Sequence, residues 1–285
     1  MVPNITIRQH EAFVQTARRV AKSTCQLYLY REDRFDTPRP HGCCVLFRFN
    51  DKFYCFSNAH VLGDQYMEQA FVLTNRNQLN GKSRTTTIGG QYYFTKLPSS
   101  GKREDDTIDM AIVQLTQECA DDLIERGYLF IGVNDIQTNY KPKADDKLLI
   151  AGYPGSGTKV NTYLRNVIAK PFYLLTSPYL EDLRHMDFPI EFHTTARYAK
   201  GKIFNPKSGE INKGPMPHGV SGSGLWQITK NENGDQQALL VGILSTYLQN
   251  RSLVISTKVD LFIDLMNQVF KIAIPNNGNG IKLLD

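Results

Sequence analysis

Gly219-Val220-Ser221-Gly222-Ser223-Gly224 runs directly into Leu225-Trp226-Gln227-Ile228. Closely spaced glycines let a backbone turn tightly and expose its amide N–H groups. The apolar stretch that follows reads as a strand. A Gly/Ser turn between strands is common on its own, and two upstream motifs change its reading. Ser57-Asn58-Ala59-His60-Val61 places an imidazole just after the apolar run Phe53–Phe56, and Asp109 opens the run Met110-Ala111-Ile112-Val113. Each motif sets one polar group at the edge of a strand. In chain order they supply a base, a carboxylate and a hydroxyl.

A serine hydroxyl is a poor nucleophile near neutral pH, and an imidazole can take its proton there. A lone histidine usually has a structural role, but His60 has a context that His10, His41, His185, His193 and His218 lack: a small residue, alanine before it and an aliphatic after it. A carboxylate leading into a buried strand is costly unless hydrogen-bonded. Asp109 by itself reads as a turn residue beside Glu104, Asp105 and Asp106. A bond to His60 would satisfy it and fix the imidazole tautomer.

The order His60…Asp109…Ser221 resembles that of the trypsin-like (chymotrypsin-fold) serine peptidases, in their bacterial, disulfide-free form. The Asp-aliphatic-Ala-aliphatic pattern at Asp109 matches that family, as does the strand after Gly224. The resemblance spans roughly residues 25–270. It implies an all-β fold of two packed six-stranded antiparallel β-barrels, with an N-terminal and a C-terminal helix. It also implies a catalytic triad of His60, Asp109 and Ser221, an oxyanion hole from the amides of Gly219 and Ser221, and acyl-enzyme chemistry on protein or peptide substrates.

Two positions depart from the family pattern. Ser223 stands where a second glycine is usual, which creates a second candidate hydroxyl. Val220 stands where secreted trypsins carry an aspartate that pairs with a new N-terminus, so activation by that route is not expected. The resemblance places the substrate pocket between residues 213–218 and 245–248, with His218, Ser245, Thr246 and Tyr247 as contacts. No carboxylate lies in Gly214–Val220, which argues against selection of Arg or Lys.

Composition narrows the class. With 41% hydrophobic and 21% charged residues, 285 residues can build a globular core. The net charge of +5 is spread along the chain, not clustered, so no nucleic-acid partner is expected. No apolar run is long enough to span a bilayer, and the first ten residues do not read as a signal peptide. Cys25, Cys43, Cys44, Cys55 and Cys119 form no even framework, and Val61 stands where secreted trypsins carry a cysteine. They read as reduced thiols of a cytoplasmic protein. No paired Cys/His spacing suggests zinc, and no metal or other cofactor is expected.

Apolar residues at three- and four-residue spacing predict a helix over 8–24, with Phe13, Val14, Ala17, Val20 and Ala21 on one face, packed on the outside of the domain. Period-two runs predict the first barrel over 25–135, with Asn50-Asp51 turning a hairpin. A linker over 134–147 leads to a second barrel over 145–270, closed by a helix at Val259–Phe270. Residues 197–217 read as a long loop and 271–285 as a flexible tail. Two functions remain open. One is a serine endopeptidase, regulated as an effector of bacterial defence or stress response by a protein partner that acts through the N-terminal helix or the 197–217 loop. The other is a pseudo-peptidase that binds a peptide or partner without cutting it.

Overall fold

Asn50 adopts a left-handed φ of 52°, and Phe49 pairs with Lys52 across it. This hairpin belongs to a computed structural model that describes residues 7–31, 34–74, 84–161, 166–198, 203–204, 211–212 and 214–275. Helix α1 (Ile7–Lys22) precedes strands β1 (Thr24–Arg31), β2 (Arg34–Phe49), β3 (Lys52–Ser57), β4 (Phe71–Thr74), β5 (Arg84–Thr87), β6 (Gly90–Phe94) and β7 (Ala111–Leu115). The short helix α2 (Ala59–Leu62) follows β3, and α3 (Gln117–Glu125) follows β7. The second half contains β8 (Lys147–Gly152), β9 (Thr158–Asn161), β10 (Asn166–Ala169), β11 (Phe172–Thr176), β12 (Pro178–Tyr179) and β13 (His193–Arg197). It continues with β14 (Ile203–Phe204), β15 (Ile211–Asn212), β16 (Gly224–Lys230), β17 (Gln236–Leu248), β18 (Leu253–Lys258) and helix α4 (Val259–Phe270).

Two antiparallel sheets of seven strands result, ordered β5-β4-β1-β2-β3-β7-β6 and β11-β8-β16-β17-β18-β13-β12. The expected barrels had six strands each. The difference lies in one bent strand per sheet. β5 and β6 are separated by Ile88 and Gly89, whose backbone groups bond to Ala70 on one side and Thr116 on the other. β11 and β12 are separated by Ser177, which accepts from Arg197 N–H. Each bent strand pairs with both ends of its sheet and closes it. Around 158–169 and 203–212 the chain forms two separate two-stranded pairs, β9–β10 and β14–β15. The second of these lies within the expected long loop.

Period two sorts the side chains into three cores. On β3, Cys55 points into the first barrel, and Tyr54 and Phe56 face the seam between barrels. On β8, Leu148 and Ile150 fill the second barrel, and Leu149 and Ala151 face the seam. Strands buried on both faces read as continuous apolar runs. The seam also takes Phe13, Ala17 and Val20 of α1 and most of α4. α1 lies on the outside of the domain, as expected, with its apolar face in the largest core and Glu11, Gln15, Arg18, Arg19 and Lys22 exposed. Burying each such large apolar side chain contributes about 1.5–3 kcal/mol. Residues 271–275, expected as the start of a flexible tail, are held to the domain: Asn267 bonds both backbone groups of Ile274, which is buried. Residues 276–285 lie outside the described residues.

Candidate active site

β3 delivers His60. Ser57 at its end donates to Cys43 O at 2.7 Å, and Asn58 O then accepts from the N–H groups of Val61 and Leu62 to start α2. This single turn fixes the His60 backbone. The imidazole Nδ1 lies 2.6 Å from Asp109 Oδ2, and the His60 backbone N–H donates to Asp109 Oδ1 at 3.0 Å. Both carboxylate oxygens thus hold one residue. The Asp109 side chain is 8% exposed and that of His60 37%, so a buried carboxylate supports an imidazole open to the surface.

Asp109 has a φ of 45°, a left-handed conformation that costs a non-glycine residue about 1–3 kcal/mol unless its surroundings enforce it. They do so here. Asp109 N–H donates to Asp106 Oδ1 at 2.9 Å, and Asn58 Nδ2 donates to Asp109 O at 3.0 Å. Asp106 is in turn held by Arg103 Nη1 at 2.8 Å and by the Thr95 hydroxyl. Arg103 also donates to Thr95 O at 2.9 Å. Asp106 therefore faces the Asp109 backbone and not His60. Nothing in the spacing of Thr95, Arg103 and Asp106 signals this arrangement.

The Gly219–Gly224 loop is set by its carbonyls. Trans peptides point C=O and N–H in opposite directions. Gly155 N–H binds His218 O at 2.9 Å, and Ser223 N–H binds Val220 O at 2.9 Å. The N–H groups of Gly219 and Ser221 are accordingly turned the other way. Val220, Gly222 and Ser223 all donate within the chain, but among the described residues the amides of Gly219 and Ser221 have no acceptor. Gly219 and Gly222 have φ of 88° and 85°. A Cβ on Gly222 would collide with Cys43 O and Ser57 Oγ.

Ser221 is half-buried, and its hydroxyl donates to Ser245 O at 3.5 Å, not to His60. Ser245 is skipped by the pairing with β18, where the register slips between Leu244 and Thr246, although its hydroxyl donates to Ile255 O at 3.4 Å. Such a bulge re-aims backbone groups, here the carbonyl that meets Ser221. Ser223, the alternative hydroxyl, is fully buried with Oγ unbonded. It is out of reach of a substrate.

β2 ties the two halves together. Cys43 N–H donates to Ser221 O at 2.7 Å, and Cys43 Sγ donates to Gly219 O at 3.3 Å. Burial pushes this thiol up to about 12, so it is a protonated donor and no rival nucleophile. All five cysteines are free and buried. His41 lies beside His60, with Nε2 at 3.2 Å from Val61 O. Burial first, and then the neighbouring His60, lower its pKa to about 4. Its proximity to His60 has no signature in the sequence.

The segments expected to wall the pocket do approach each other, through a residue not foreseen. Tyr198 is fully buried, donates to Pro215 O at 2.6 Å and meets the Tyr247 ring edge-on at 5.3 Å. Thr246 and Tyr247 are half-buried on β17, and the His218 side chain is exposed. Lys213 lies outside the described residues. Among the described residues, no group of three or more His, Cys, Asp or Glu could hold a metal ion, and no helix is long and apolar enough to cross a membrane.

Against known proteins, no family model and no curated protein sequence matches the chain. Among solved structures it matches the scabies mite inactivated protease paralogue S-D1 with a TM-score of 0.51 at 8% identity, over 92% of this chain and 94% of that one. The fold is chymotrypsin-like. The chain also matches a Glu endopeptidase in complex with MPD at a TM-score of 0.47 and 14% identity, over 89% of this chain and 94% of that one. At these identities the likeness concerns the course of the backbone and carries over no residue or activity.

Proposed function

We propose that the chain is a serine endopeptidase acting on protein or peptide substrates, with Ser221 as nucleophile, His60 as general base and Asp109 as its orienting carboxylate. The observation that carries this reading is the pair of amides at Gly219 and Ser221 that lack an acceptor among the described residues, in a loop where the amides of Val220, Gly222 and Ser223 are bonded. Donors fixed in advance and aimed at a developing oxyanion supply a large share of acyl-transfer catalysis. In this mechanism the Ser221 hydroxyl rotates away from Ser245 O to His60 Nε2. Its proton passes to the imidazole as Oγ attacks the scissile carbonyl. The imidazolium, stabilised by Asp109, then gives that proton to the leaving amine, and water repeats the sequence on the acyl ester. His218, Ser245, Thr246 and Tyr247 contact the substrate.

A second reading rests on the Ser221 bond to Ser245 O: the hydroxyl stays parked there, and the chain binds peptides without cutting them. Incubation with a denatured-protein library separates the two. Defined cuts that vanish in Ser221→Ala support the peptidase. Retention of peptides without cuts supports the binder.

The five unpaired buried thiols support a reducing, cytoplasmic setting. The regulated-effector reading draws support from α1, which packs its apolar face on the inter-barrel core and leaves its polar face exposed to a partner. The 197–217 loop, its other proposed docking point, lies mostly outside the described residues.

A further inference from the structure

α1, both barrels and the turn after α3 meet around a cleft of about 490 Å³. Its volume falls in the range of small-molecule sites, which favour such junctions. Four tyrosines line it: Tyr28 from β1, Tyr128 after α3, Tyr153 after β8 and Tyr173 on β11. Their phenols are neutral: burial raises all four, and the neighbouring tyrosines add to this at Tyr128 and Tyr153. Tyr28 donates to Gln26 at 2.6 Å and Tyr153 to Ala21 O at 3.3 Å, so these two hydroxyls are engaged within the protein.

Charge at the cleft has one sign. Arg18 and Lys22 stand one helical turn apart on α1, both exposed. Neither forms an ion pair among the described residues, whereas Arg19 on the next face pairs with Asp135. Arg126 also lines the cleft and is held by Asp122. Among the described residues no carboxylate lines it. Two unpaired cations above neutral aromatic rings match one kind of occupant: an acidic group that meets the cations, attached to a flat body that lies on the rings.

We propose that this cleft is a binding site for a small organic anion with an aromatic body. Its acidic group sits between Arg18 and Lys22 and its ring on the tyrosines. The proposal does not depend on the peptidase reading, because binding is measured without turnover.

The test is a fluorescence titration with the aromatic sulfonate 8-anilinonaphthalene-1-sulfonate, and with N-phenyl-1-naphthylamine as the uncharged body. The expected result is one saturable site for the sulfonate, at least tenfold tighter than for the neutral probe and weakened by salt. The double variant Arg18→Glu/Lys22→Glu, with both positions exposed, should lose at least tenfold for the sulfonate and little for the neutral probe. Ala169→Trp, which fills the cleft, should weaken both. Ser221→Ala should bind like wild type, so failure here is distinguishable from failure of the peptidase assignment. No saturable binding, equal affinity for the two probes, salt-independent sulfonate binding in the unaltered chain, or sulfonate binding unchanged in either cleft variant would overturn the proposal.

Discussion

Asp109 holds His60 through both carboxylate oxygens, at 2.6 and 3.0 Å, while Ser221 Oγ has one contact of 3.5 Å, to Ser245 O. His60 in the first barrel is locked from below by Asp106, Arg103 and Thr95. Ser221 in the second barrel has a fixed backbone and a loosely held hydroxyl. The contrast matches what the proposed mechanism asks of each half. An orienting carboxylate gains from being fixed before the substrate arrives. A hydroxyl that must leave a proton on His60 and join a carbon has to move. Catalytic hydrogen bonds are often long in a free enzyme and tighten on binding.

The hydroxyl side of this contrast gives the largest expected effect. Ser221→Ala should lower turnover by about a million-fold with the fold unchanged, measured on any substrate that wild type cuts. Retained turnover would pass the nucleophile role elsewhere. On the base side, Asp109→Asn should lower turnover by about ten-thousand-fold, as tautomer control is lost, with an unchanged circular dichroism spectrum. Near-normal turnover would mean that Asp109 does not orient His60.

Asp106→Ala tests the lock itself. It removes the acceptor for Asp109 N–H, so kcat should fall by roughly ten- to a hundred-fold with KM little changed. Asp106→Asn keeps an acceptor oxygen and should recover most of the loss. If both variants match wild type, the contrast between a locked base and a loose hydroxyl carries no catalytic weight. The smallest effect concerns stability. An unfolded histidine takes up its proton at about 6.5, and folded His41, held down by burial and by His60, does so at about 4. Its contribution to stability is therefore complete above the unfolded value and is lost as pH falls through that window. His41→Asn should reduce the acid loss seen by urea denaturation between pH 7 and 4.5, by at most about 3 kcal/mol. An unchanged acid loss would remove His41 from the account.

Much of this arrangement was legible in the residues, and the reasons are specific. The Asn50-Asp51 turn and the period-two runs around it fixed one hairpin, because asparagine tolerates a left-handed φ at little cost. The polar residue at the edge of each apolar run marked His60, Asp109 and Ser221 as neighbours of strands. The amphipathic period of α1 showed which face is buried but not that its partner would be the inter-barrel seam. The bent strands could not be counted, since Ile88-Gly89 and Ser177 interrupt pairing without breaking the chain direction. The roles of Asp106 and Tyr198 leave no pattern in sequence because their partners, the Asp109 amide and Pro215 O, are backbone groups, and Arg103 acts one step further back, on the Asp106 carboxylate and Thr95 O.

The central claim is that Ser221 is an activated nucleophile driven by His60. A fluorophosphonate probe, followed by mass spectrometry of the digested protein, tests it most directly. The expected adduct lies on Ser221, forms much more slowly in His60→Ala, and is absent from Ser221→Ala. Equal labelling of wild type and Ser221→Ala, or an adduct on Ser223, would contradict it.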